Sequence, residues 1–97
     1  MNLDFFEKYR VIFVKYLDKT EKSPARIKIT DKERKQSKII KRNTKYESYV
    51  IQAAAFLHNN GFRIKGCGDT EKNETEYIFL VDNFLEFDID IKDCVVY

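Results

Sequence analysis

The sequence predicts an α+β domain: a mainly antiparallel sheet of four to five strands, in the order β-β-β-α-β-β, with one helix packed on one face. Short runs rich in Val, Ile, Phe and Tyr alternate with polar connectors along most of the chain. Only residues 44–62 carry an apolar repeat of helical period. With 97 residues, 43% of them apolar, and only three Gly and one Pro, the composition suits one ordered core and argues against disorder. Residues 1–97 are therefore read as a single domain.

Each element has its own local reason. "YRVIFVKYL" (9–17) is β-branched and aromatic on both faces, Val11 and Phe13 against Ile12, Val14 and Tyr16, which suits a central strand. After the polar connector "DKTEKSP" (18–24), "ARIKIT" (25–30) alternates strictly, with Ala25, Ile27 and Ile29 inward and Arg26, Lys28 and Thr30 outward. "DKERKQ" is a turn, and "SKIIKRN" (37–43) a third strand. A helix is expected over about 45–60. Thr44 as N-cap and Glu47 three residues on form a capping box, and Tyr46, Tyr49, Val50, Ala53, Ala54 and Leu57 form the inward stripe. Gly61 sits where a left-handed residue ends a helix, and Phe62 can fold back on the last turn.

"FRIKGCG" (62–68) and "EYIFLVD" (76–82) are two further strands, the second again apolar on both faces. The tail "NFLEFDIDIKDCVVY" alternates Phe87, Ile89 and Ile91 with Asp88 and Asp90, and is expected as one or two short edge strands. One helix covers one face, so a second cover is needed for the other. The segment with Phe5 and Phe6, the tail, or a second copy of the chain are the possible covers.

"VKYL…T…ARIKI", the Ala-Ala pair of the helix, "NGFRIKG" and "YIFLVDNF" together resemble a group of small proteins of bacteriophages and other mobile elements. The matching residues are Lys15, Tyr16, Leu17, Thr20, Arg26, Ile27, Lys28, Ala53, Ala54, Gly61 and Phe62, within residues 11–84. The usual Gly-Pro after Lys-Tyr-Leu is Asp18-Lys19 here, and the usual Gly-Ser before Arg is Pro24-Ala25. The resemblance implies a small α+β domain and a mobile-element setting, and carries no known active site.

The net charge of +2 conceals two unlike halves: residues 1–65 hold 16 basic and 7 acidic side chains, residues 66–97 hold 2 and 9. Ten basic residues lie between Lys22 and Lys45 against Asp31 and Glu33. Arg26, Lys28, Arg34, Lys38 and Arg42 are the candidate contacts of this basic hairpin, to DNA or RNA phosphates or to an acidic protein. A solvated edge hairpin whose lysines block aggregation explains the same residues without a ligand. Asp82, Glu86, Asp88, Asp90 and Asp93 form an acidic strip without the glycine-turned loop of a calcium site.

Cys67, flanked by Gly66 and Gly68, is the conspicuous thiol. A catalytic pair with His58, the single histidine, requires the two to meet. His58 otherwise suits the last helical turn, and Cys94 a small buried hydrophobe. With paired cysteine spacing absent, no metal, no other cofactor and no catalytic residue is expected. "MNLDFFEKYR" is charged throughout, unlike a signal peptide, and no apolar run approaches the ~20 residues of a membrane span. The expectation is a cytoplasmic, non-enzymatic binding protein without membrane contact. Its partner is a host protein or a second copy in a homodimer, with nucleic-acid binding through residues 26–42 as the alternative.

Overall fold

The computed structural model describes residues 9–69, 75–82 and 89–96. Strands β1 (Tyr9–Leu17), β2 (Arg26–Asp31) and β3 (Gln36–Lys41) form a meander. Helix α1 (Tyr49–Asn59) follows, and then the hairpin β4 (Ile64–Asp69) and β5 (Glu76–Asp82). All pairs are antiparallel, in the spatial order β3-β2-β1-β5-β4. The predicted α+β class and element order are thus the observed ones, with β1 central as its two apolar faces suggest.

Register explains the core. Ile12 and Val14 on β1, Ile27 and Ile29 on β2, Ile40 on β3, and Phe79 and Val81 on β5 all point to one face, where they are buried with Ala53, Phe56 and Leu57 of α1. Alternation with a period of two puts every one of them on the same side. The helix lies over β1, β2 and β4. Its buried face is Gln52, Ala53, Phe56 and Leu57, while Tyr49, Val50 and Ala54 pack at its edge. The expected stripe is therefore rotated by about one residue, toward Gln52 and Phe56.

The helix begins later than its capping box suggests. Ser48, not Thr44, is the N-cap: its backbone is extended (φ −145°) and its hydroxyl accepts the Ile51 amide at 3.1 Å. Residues 43–47 wrap instead around the Arg42 guanidinium, which donates to the carbonyls of Asn43 and Tyr46 and, at 3.0 Å, to Gln52 Oε1. Gln52 also takes the Asn43 amide (2.8 Å) and donates to the Lys41 carbonyl (2.8 Å), so its burial leaves it well satisfied. Ser48→Ala should cost about 1 kcal/mol in urea unfolding, and Thr44→Ala well under half of that. Equal losses would restore the earlier cap.

The C-terminal end follows expectation. Gly61 is left-handed (φ 95°), its amide donates to the His58 carbonyl and that of Phe62 to the Leu57 carbonyl. This is the Schellman pattern, with buried Phe62 closing the last turn.

The tail departs from expectation. Its described part, 89–96, forms no strand but a single 3₁₀ turn, Ile91–Asp93. Ile91 and Cys94 are buried in the core beside β2 and β3, on the same side of the sheet as the helix. Asn60 holds it by donating to the Val95 carbonyl (2.8 Å) and accepting its amide (3.0 Å). The described tail therefore does not cover the other face. Phe5, Phe6, Phe87 and Asp88 lie outside the described residues.

Candidate binding face of the sheet

The five basic candidates do not form one surface. Lys38 stands opposite Ile29, so it points to the helix side. Arg34 turns inward: its Nη1 donates to Asp90 Oδ1 at 2.9 Å and to the Ile89 carbonyl at 3.4 Å, pinning the tail. The Gln36 amide and the Arg34 guanidinium together hold the Asp90 carboxyl below its ordinary value. Arg42 is built into the β3–α1 connection. Only Arg26 and Lys28 share the face opposite the helix, as alternation predicts.

On that face the register brings together residues that the linear sequence separates. In one row Ile39, Lys28, Lys15 and Glu76 stand side by side, and in the next Lys41, Arg26 and Leu17. Toward the other end come Ser37, Thr30, Phe13, Ile78 and Gly68, then Val11, Leu80 and Gly66. One corner is thus basic, with Lys15, Arg26, Lys28 and Lys41. The opposite corner is apolar, with Val11, Phe13, Ile78 and Leu80. Adjacent strands are about 4.8 Å apart and successive rows about 7 Å, so the two corners touch.

No element among the described residues packs on this face. Val11 and Leu80 are each 36% exposed and Ile39 50%. Lys15 lies 3.9 Å from Glu76, and Asp82 is taken by Arg63 (3.0 Å) and Lys65 (3.9 Å). Arg26, Lys28 and Lys41 have no ion pair among the described residues. Arg26 Nε is closed off from solvent without a hydrogen-bond acceptor. Lys32 places its ammonium 4.1 Å from the centre of the Phe13 ring, covering one of that ring's sides.

Elsewhere the chemistry is structural. Arg10, 1% exposed, donates from Nε (3.1 Å) and Nη2 (2.5 Å) to Asp31, which is fully buried. The Phe62 ring lies 5.2 Å from the guanidinium carbon. Sequence reasoning placed Asp31 in a turn and passed over Arg10, although Arg10 has the core parity of Ile12 and Val14. The exposed Cys67 has the Tyr77 hydroxyl at 3.4 Å as its partner, and this bond is the main reason the Tyr77 phenol titrates above its ordinary value. No hydrogen bond joins Cys67 to the exposed His58. Burial pushes the Cys94 thiol up. Among the described residues no cluster of His, Cys, Asp or Glu suits a metal ion, and no helix is long and apolar enough to cross a membrane.

Compared with known protein families, curated proteins and solved structures, the chain matches none.

Proposed function

We propose that this chain is a non-enzymatic binding protein, of the phage or mobile-element type its sequence resembles, that docks another protein on the face of the sheet opposite the helix. The observation that carries this reading is the partly exposed set Val11, Phe13, Ile39, Ile78 and Leu80 on a face that no described element covers. Val11, Phe13, Ile78 and Leu80 are neighbours by register and Ile39 stands apart beside Lys28; an apolar patch rimmed by charge is a common form of protein-binding surface. A DNA or RNA strand is the second reading, favoured by the basic corner. It is weaker because three of the five hairpin cations are directed elsewhere and Lys32 occupies one side of Phe13, the aromatic ring at the centre of this face.

Photo-crosslinking in producing cells tests the reading. A photoreactive phenylalanine analogue at Ile39 or Leu80 should yield one protein adduct, and the same probe at Ile51, exposed on α1, none. Adducts to nucleic acid, or to protein from Ile51 alone, would refute it.

A further inference from the structure

Resting on this protein-binding reading, we propose that the face receives an acidic amphipathic helix of a different protein. Its apolar stripe sits on Val11, Phe13, Ile78 and Leu80, and carboxylates at one end meet Arg26, Lys28 and Lys41. The charge distribution selects this occupant over a second copy. A two-fold dimer through this face would set the cationic corner against the same cations or against the apolar corner, because a symmetric interface applies one patch to itself. Among the described residues the carboxylates on this face, Glu76 and Asp82, already face Lys15, Arg63 and Lys65. Arg26, Lys28 and Lys41 have no ion pair among the described residues, so carboxylates of a partner would meet cations not already neutralised there.

The shape favours a helix. The diagonal from the Lys41–Arg26 corner to the Val11–Leu80 corner spans roughly 25 Å, close to the length of a helix of about 17 residues. On β4 the shoulder of the surface is low, since Gly66 and Gly68 carry no side chains and the space above Gly68 is open. A helix laid on a sheet needs such a broad, shallow seat. Carboxylates at the N-terminal end of that helix are also the arrangement its own dipole prefers.

The probe is a synthetic helical peptide of about 17 residues with a Leu stripe and Glu in its first two turns. Its controls are the same peptide with Lys for Glu, and a single-stranded oligothymidylate, each titrated into the isotope-labelled chain by NMR. The Glu peptide should shift the amides of Val11, Phe13, Lys28, Ile78 and Leu80, and bind at least about tenfold more weakly at physiological than at low ionic strength. The double change Arg26→Glu with Lys28→Glu should reverse the preference toward the Lys peptide. Should it disturb the spectrum of the free chain, Lys28→Ala with Lys41→Ala should still weaken the Glu peptide several-fold.

Equal binding of both peptides on these residues would overturn the acidic assignment and leave the protein-binding face standing. No peptide binding, with self-association through this face that strengthens with salt, would make the occupant a second copy and overturn the proposal. Shifts confined to α1, or binding of the oligothymidylate alone, would overturn the proposal and the reading beneath it.

Discussion

Replacing Asp31 by alanine is expected to remove about 3–5 kcal/mol of unfolding free energy. Asp31 and Arg10 are the two ends of a buried ion pair at 0% and 1% exposure, and removing the acid leaves a guanidinium shut in the core beside the Phe62 ring, without its carboxylate. Such a charge has lost its hydration and keeps no counterion, so its desolvation stands uncompensated. The loss also frees the Arg34 amide, which donates to Asp31 Oδ1 at 3.3 Å, and loosens the β2–β3 turn. A matched apolar pair, Arg10→Met with Asp31→Leu, should recover most of the stability, since well-packed hydrophobes often equal a buried ion pair. Urea unfolding of the two variants is the check. A loss below about 1 kcal/mol for Asp31→Ala would mean that the pair is hydrated.

Ile91→Ala is expected to cost about 2–5 kcal/mol, the usual range for truncating a fully buried aliphatic side chain. Ile91 is 0% exposed and belongs to the same core as Ile29 and Ile40. Had residues 89–96 formed the edge strand their alternation suggests, the same truncation would cost far less. Acid should act on the same segment. Because Asp90 is held below its ordinary value of 3.8 by Gln36 and Arg34, its contribution is complete above that value and is lost as the pH falls through its lower folded value. Loss of the tail's amide protection should therefore accompany strong acidification, ahead of the sheet.

How much of this was legible in the sequence depends on the range of the interactions. Strand β2 follows from the strict alternation of its own residues, β1 and β5 from β-branched and aromatic runs apolar on both faces, and the C-terminus of α1 from the Gly61–Phe62 pair. The helix start was misplaced because Arg42 and Gln52, ten residues apart, settle the conformation of residues 43–47 between them. A local capping box cannot register that competition. The described part of the tail, 89–96, departs from expectation for a related reason: Ile89 and Ile91 show strand alternation, but Arg34 and Asn60 hold the backbone around them in a turn against the core.

The candidate site was half legible. Alternation gave Arg26 and Lys28 a common face, but Lys15, Lys41 and the apolar corner join them only through the register of β1 with β2 and β5. Arg34 and Arg42 look like surface cations in the sequence because their acceptors, Asp90, Ile89, Tyr46 and Gln52, are supplied by folding.

The most direct test of the open face is the effect of a soluble paramagnetic agent on side-chain methyl relaxation in the isolated chain. Methyls of Val11, Ile39 and Leu80 should relax several times faster in its presence, while those of Val14, Ile27 and Ile29, buried under α1, should be nearly unaffected. Protection of Val11, Ile39 and Leu80 equal to that of Val14 would show that the isolated chain already covers the face, and would contradict its role as a docking surface.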